Sequence, residues 1–353
     1  MRPNNFDLIR LLAASQVLIY HGIYHLDPPG LDECWLFRWL IYFPGVPVFF
    51  VISGFLVSAS FERSSSQWNY WSNRALRIFP ALWVCFAVSF VSVLLIDKSL
   101  FGTASLRDLL VWLATQLTIF QYYNPDFLRP YGVGALNGSL WTIPVELQFY
   151  IALPIAYAAL RIGKTKTNGR LLVALLTFFL LGQAFYRLPD PYYGKLWFKM
   201  IECSMLPHFW LFLLGVLGQR NFDSIKAFFE GKFVYWFGLH LVLIGIAQFL
   251  DLKSGYNKTF PLLNFTLSAA ALSGAFTYRS LSDRILRGND ISYGVYIYHM
   301  VVINAFISLK MIGRLDYFIF ASLLSIGLAC ISWRMVEKPC LMLKKKWPKK
   351  AES

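Results

Sequence analysis

Arg10 and His21 stand eleven positions apart in the apolar run FDLIRLLAASQVLIYH, and Asp7 precedes Arg10 by three. On an α-helix, separations of three and eleven return side chains to nearly the same face, so the three residues form one ionisable stripe. At ~1.5 Å rise per residue, Arg10 and His21 lie ~16 Å apart along the axis, about half the ~30 Å hydrocarbon thickness of a bilayer. Ionisable groups inside a membrane face a bundle interior and mark a path or a site. A histidine there can take a proton from a hydroxyl, since its ordinary pKa of ~6.5 lies near working pH. The plainer alternative is an interfacial Asp7–Arg10 ion pair with His21 as an incidental polar residue.

Three further groups carry chemistry. Arg74 and Arg77, in NRALRIFP, share a helix face, and two guanidinium forks at a membrane surface suit a phosphate-rich ligand. Simple positive-inside anchoring explains the same pair. Glu146, in SLWTIPVELQFY, is a carboxylate inside an apolar run and needs a partner. Pro144 is expected to free backbone groups beside it and give a kinked, polar, water-lined segment. His299, in ISYGVYIYHM, falls near the middle of its apolar segment, where a histidine hydrogen-bonded to another helix is the bland expectation. Gly45, Ser53 and Gly54 in GVPVFFVISGFL suit close helix approach. No GxSxG, HExxH, Walker or kinase pattern is present. The five cysteines have no metal-ligand spacing, so no metal site is expected.

The elements that must hold these groups follow from composition. Of 353 residues, 57% are hydrophobic and 15% charged, and mean hydropathy is +0.51. Soluble domains carry ~25% charge; the expected class is all-α, a polytopic integral membrane protein. The net charge of +14 lies in short basic runs between apolar segments, which read as topology signals and contacts to anionic membrane lipids, with no nucleic-acid partner. The first segment lacks a small-residue cleavage site and reads as a retained helix.

Apolar segments fall at 6–26, 36–60, 78–97, 106–123, 139–160, 171–187, 200–219, 233–250, 259–278, 290–309 and 315–335. The first loop holds Asp27, Asp32 and Glu33, the next Arg63, Arg74 and Arg77. This bias puts the N-terminus in the cytoplasm and has Arg74 and Arg77 open the third helix there. Arg161, Lys164, Lys166 and Arg170, then Arg220, Lys226 and Lys232, then Arg279, Arg284 and Arg287, and the tail lysines 344, 345, 346, 349 and 350 all fit inside if ten segments span. The segment at 106–123 is the one expected not to span, as a re-entrant or interfacial element on the outer side, leaving Lys98 and Asn137 both outside. Residues 1–340 read as one integral-membrane domain and 341–353 as a basic cytoplasmic tail. Arg10 then lies in the inner half of the first helix, His21 in its outer half, and Glu146 about two turns deep from outside. A histidine near one face and a phosphate anchor at the other suggest group transfer across the membrane.

These pieces resemble the acyltransferase family 3 integral-membrane proteins, which O-acylate bacterial surface glycans. The resemblance rests on FDLIRLLAA followed by YH, GVPVFFVISGF, NRALRIFP, SLWTIPVELQFY, ISYGVYIYH and the closing VEKP at Glu337 to Pro339, in family order along nearly the whole chain. It implies ten spanning helices, and acyl-CoA, usually acetyl-CoA, as the cytoplasmic donor. The implied acceptor is a hydroxyl of a glycan or lipid-linked glycan, such as O-antigen or exopolysaccharide. It further implies a bacterial inner-membrane location, His21 as the essential histidine, and donor binding by Arg74 and Arg77, with Arg10 on the same donor side. Glu146 is expected to orient or charge-balance His21, and Asp7, Ser139, Trp141 and His299 to serve substrate or structure. Leu147 departs from the Glu-Glu-Gln-Phe that many members carry, leaving Glu146 the sole carboxylate of that run. Many relatives append an extracytoplasmic esterase-like domain; none is seen here, so direct transfer or hand-off to a separate protein is expected. The rivals are a transporter or flippase, which should show two related halves with broken helices, and an acyltransferase using another acyl group or a small-molecule acceptor.

Overall fold

Every backbone N–H and C=O in an apolar surrounding must be satisfied within its own segment, which helices achieve locally. The computed structural model describes residues 4–162, 169–188, 195–251, 260–278 and 280–343, and among these the chain is helical, without a strand. In order it forms α1 (Phe6–Leu26), α2 (Trp35–Leu40), α3 (Gly45–Glu62), α4 (Gln67–Asp97) and α5 (Leu106–Leu117). Then come α6 (Thr142–Ala159), α7 (Gly169–Tyr186), α8 (Leu196–Glu202), α9 (Phe209–Arg220), α10 (Phe222–Phe229) and α11 (Phe233–Phe249). The series closes with α12 (Pro261–Phe276), α13 (Leu281–Leu286), α14 (Ser292–Ser308), α15 (Leu315–Ser332) and α16 (Lys338–Met342).

The apolar run at 36–60 is not one helix. Pro44 is extended (φ −61°, ψ 123°) and disfavours helical geometry at the residue before it, so α2 and α3 are separate. The run at 200–219 breaks similarly between α8 and α9, where Pro207 lies. The run at 78–97 is longer than expected: Ser66 accepts from Asn69 N at 3.1 Å and caps a helix that starts at Gln67. Arg74 and Arg77 therefore sit in the second and third turns of α4, a correction to their expected place at its opening.

Six stretches are long and apolar enough to cross a membrane among the described residues, and seven if α10 and α11, bent by 72°, count as one span. α9 and α12 are apolar but shorter. The expected count of ten is thus not reached on length and composition. Lys164, Lys166, Arg279 and the lysines at 344–350, on which the expected orientation partly rests, lie outside the described residues.

The chain resolves into two compact units. Among the described residues, one is drawn from Met1–Ala13, Trp39–Arg63 and Val145–Gly288, the other from Ala14–Arg38, Ser64–Pro144 and Asn289–Ser353. In the first unit α3 and α9 touch backbone to backbone. A Cβ on Gly54 would run into the carbonyl of Phe212, and one on Gly215 into that of Val51, the close approach that small residues permit. Asn5 fastens the head of α1 to the end of α12, donating from Nδ2 to the Thr277 carbonyl at 2.7 Å and accepting from Ser282 N at 2.9 Å.

In the second unit α5 lies on α4. Ser105 caps it by accepting from Asp108 N at 3.1 Å, and Trp112, fully buried, meets the Phe86 ring edge-on at 5.4 Å. The loop after α5 is stitched to α14. Asn304 accepts from Val133 N at 3.0 Å and donates to the carbonyls of Ala135 and Leu136 at 2.8 and 2.9 Å. Gly132 (φ +55°) passes so close to Asn304 that a side chain would not fit, a position that needs glycine on both counts.

α5 has 12 residues, ~18 Å at helical rise, too short for a ~30 Å core. Cysteines at Lys98 and Arg129, both exposed, should therefore react with an impermeant maleimide from the same side of the membrane in a cysteine-depleted background. Labelling from opposite faces would mean that the segment between them crosses. Asn137, buried and donating to the Ile297 carbonyl at 2.7 Å, is unsuited as a probe.

Candidate active site

Two histidines from distant parts of the chain meet in the second unit. His21, on the penultimate turn of α1, and His299, midway along α14, place Nδ1 and Nε2 2.9 Å apart, with rings inclined by 18°. His299 is completely buried, and its Nδ1 lies 3.2 Å from the carbonyl of Val295, one turn earlier. His21 is half-buried, and His25 follows one turn later, its ring 5.8 Å from that of His21. Gly22 brings α1 under the Phe318 ring: a Cβ there would come within 2.7 Å of it. The expected core histidine with a partner on another helix is thus found, and its partner is His21.

A charged cluster sits at the head of the same α14. Arg77 Nη2 lies 2.5 Å from Asp290 Oδ2, with Arg77 20% and Asp290 7% exposed. Asp290 also takes the head of α14 in hand, its Oδ1 accepting from Ser292 N at 3.2 Å and Ser292 Oγ at 2.5 Å. Trp333 Nε1 donates to Asn289 Oδ1 at 3.0 Å. Residues Trp333–Glu337 form a π-helical turn between α15 and α16, and such turns are frequent at functional sites. Glu337 is buried there, Oε1 accepting from Ser332 Oγ at 3.2 Å, while Oε2 has no hydrogen-bond partner among the described residues. Arg74, one turn before Arg77, interacts with the buried Tyr70.

The remaining candidates separate. Ser139 Oγ is a strut: it donates to Asn137 Oδ1 at 2.7 Å and approaches the Tyr296 carbonyl at 3.2 Å. Trp141 ends the same short turn, half-buried. In the first unit, Asp7 and Arg10 lie 3.6 Å apart, with Asp7 52% exposed, a pair of the kind that contributes little to stability. Glu146 accepts from Ser53 Oγ at 3.2 Å and from the Tyr150 hydroxyl. Pro144 lies in the first turn of α6, where its missing N–H removes no helical bond and gives no cause for a kink. The interior proline is Pro154.

Asp290, Asn289, Asn137 and Asn304 carry no signal in the sequence that marks them as site residues. The turn-forming Gly288–Asn289–Asp290 ahead of an apolar run was a helix-start signal, but nothing in it named Arg77 as partner. Glu337 stood only as part of a motif.

The Arg77–Asp290 pair should couple energetically. Arg77→Gln or Asp290→Asn alone leaves a partly buried charge without its partner, about 3 kcal/mol at the low end for such losses. Together they should cost less than their sum, by ~0.5–3 kcal/mol. Thermal unfolding of the purified variants in one detergent checks this, and strict additivity would deny the coupling.

The acyltransferase domain family matches residues 4–334. The chain is 35% identical over 356 residues to Nodulation protein 10 of Rhizobium leguminosarum bv. viciae, covering 97% of this chain and 94% of that one. It is 28% identical over 342 residues to the O-acetyl transferase of Shigella phage Sf6, with 96% of each covered. Similarity extends to the peptidoglycan O-acetyltransferase OatA of Listeria monocytogenes, 22% identical over 95% of this chain and 55% of the relative. No solved structure matches the chain. Its apolar helices, its polar pair on α1 and α14 and this near full-length match converge: the chain belongs to the acyltransferase domain family, and it is a membrane O-acetyltransferase.

Proposed function

We propose that this O-acetyltransferase takes an acetyl group from acetyl-CoA on the cytoplasmic side of a bacterial inner membrane and transfers it to a hydroxyl of a cell-surface polysaccharide or its lipid-linked precursor. The observation that carries the reading is the His21–His299 contact at 2.9 Å, an imidazole pair held between otherwise apolar helices. Relatives named as peptidoglycan O-acetyltransferases favour a glycan acceptor.

His21 is the general base of this scheme. A ring nitrogen takes the proton of the acceptor hydroxyl as its oxygen bonds to the acetyl carbon. The carbon–sulfur bond then breaks, and the imidazolium returns the proton to the leaving thiolate. The products are an O-acetyl ester and free CoA, with protons balanced. Histidine works in both directions because its two states lie close in energy near neutral pH.

Arg74 and Arg77 serve the donor's phosphates. Asp290, which holds Arg77, lies nine residues before His299, ~13 Å at helical rise. The long pantetheine arm of CoA is suited to bridging that interval, phosphates at one end and thioester at the other. A guanidinium has five N–H donors, so Arg77 can hold Asp290 and still offer a fork. Glu146 is held by its own partners, Ser53 and Tyr150. Both termini are cytoplasmic.

His21→Ala should lower transfer by ~10²–10⁴, the usual worth of a general base, while the protein still inserts and folds. The check is mass spectrometry of surface glycans from a deletion strain complemented with either form. Normal acetylation by a well-expressed His21→Ala protein would refute the assignment.

The donor role separates from structure at Arg74. Arg74→Gln should raise the apparent KM for acetyl-CoA about 10-fold or more, as expected for losing a charge-assisted hydrogen bond of ~1.5–3 kcal/mol. Arg74→Lys should restore it only in part, lacking the planar fork. Donor titration in proteoliposomes reads this out; an unchanged KM returns Arg74 to an anchoring role.

A further inference from the structure

We infer that His299 is a positioning residue that selects the tautomer of His21, so that Nε2 is the nitrogen of His21 that receives the acceptor's proton. The inference deepens the reading of His21 as base and rests on it for its catalytic meaning.

A backbone carbonyl sets the direction of the whole chain of hydrogen bonds. The Val295 oxygen can only accept, and it lies 3.2 Å from His299 Nδ1, so the hydrogen on that nitrogen belongs there. In a neutral imidazole the other nitrogen then carries the lone pair, which makes His299 Nε2 an acceptor. Its partner at 2.9 Å is His21 Nδ1, which must donate to it. The hydrogen of neutral His21 is thereby fixed on Nδ1 and the lone pair on Nε2. The opposite arrangement, with His299 Nε2–H donating, would leave the lone pair of its Nδ1 against the Val295 oxygen.

The framework around the dyad keeps that direction. His299 is fully buried, and its carbonyl partner is in its own helix, one turn back, so ring and acceptor move together. The Tyr296 ring is 6.0 Å from His299 and meets it edge-on, while the Tyr296 hydroxyl is engaged by Thr142 at 2.7 Å and the Ser139 carbonyl at 3.0 Å. The loop residues Asn137 and Ser139 thus brace α14 at the level of the histidine pair. A second imidazole does here what an orienting carboxylate does in other base–orienter pairs: it fixes which nitrogen holds the proton. It does so without placing a negative charge beside the base.

The step it supports is conservative in atoms. The acceptor's O–H proton moves to His21 Nε2 as its oxygen bonds to the acetyl carbon; the thioester C–S bond breaks; Nε2–H protonates the departing sulfur. The Nδ1–H of His21 keeps donating to His299 Nε2 throughout.

The test uses the full-length protein in nanodiscs with ¹⁵N-labelled histidine, of which the chain has five. His21 signals are assigned by their loss in His21→Ala. The expected spectrum has Nδ1 of His21 protonated and Nε2 bearing the lone pair. A wild-type His21 protonated on Nε2, or on both nitrogens, overturns the inference, and this reading needs no active variant. In the same protein, His299→Phe keeps a ring but offers no acceptor. It should move His21 toward the Nε2–H form and lower kcat about 10- to 100-fold, as loss of an orienting partner does, with KM for acetyl-CoA unchanged. His299→Gln, whose amide oxygen can accept near the former Nε2, should recover both tautomer and rate in part. Equal losses in the two variants with His21 still protonated on Nδ1 would reduce His299 to packing. The base assignment fails separately: if His21→Ala retained transfer, His21 would not be the base, whatever its tautomer.

Discussion

A polar group inside an apolar helix bundle is costly without a partner, and in the second unit this constraint helps decide which segments meet. An unpaired buried donor or acceptor costs roughly 1–3 kcal/mol, comparable to the gain from burying a large side chain. α14 carries His299 and Asn304 fully buried among apolar neighbours, and each is engaged. His299 pairs with His21, and Asn304 with three backbone groups of the loop after α5. These bonds fix which segments may lie against α14 and in what register. A slip of one residue along the helix would strand several of them at once.

Seen along its length, α14 joins three tasks. Its head is clamped by Asp290 to Arg77 on α4 and by Asn289 to Trp333 on the π turn. Its middle holds the histidine pair. Its tail, through Asn304 and Ser308, binds the loop of Gly132 and Val133. Anything that shifts α14 along its axis moves the arginine cluster, the histidine pair and this loop together. α14 and its head carry the partner of each, Asp290 for Arg77 and His299 for His21, and so hold the arginine cluster and the histidine pair in fixed relation.

Much of this is legible in the sequence and some is not, for identifiable reasons. α1 has its observed limits in the sequence because a stretch bounded by Asn5 and Asp27 and apolar between them has no competing pattern. The close approach at Gly54 is readable because small residues interrupting a bulky apolar helix leave room for a neighbouring backbone. The breaks at Pro44 and near Pro207 are hidden inside runs whose average hydropathy stays high, and the early start of α4 lies in a polar stretch that hydropathy does not score. Pairings are least legible. His21 and His299 are 278 residues apart, and the helical period states which face a residue occupies but not which helix will meet it. Asparagines escape notice for a related reason. Asn137 looks like loop filler and Asn304 like a stray polar residue in an apolar helix until the carbonyls they bind are known.

The central claim, that this chain itself carries an acetyl group from a thioester to a glycan hydroxyl, is tested most directly by reconstitution. Purified protein in proteoliposomes would be given acetyl-labelled acetyl-CoA on one side and surface glycan of the source strain, lipid-linked or free, on the other. Label is expected in the glycan as a hydroxylamine-labile ester, with CoA released in equal amount, and neither with His21→Ala. Label that stays in the donor with the purified protein, yet reaches glycan in membranes lacking it, would mean that another protein carries out the transfer.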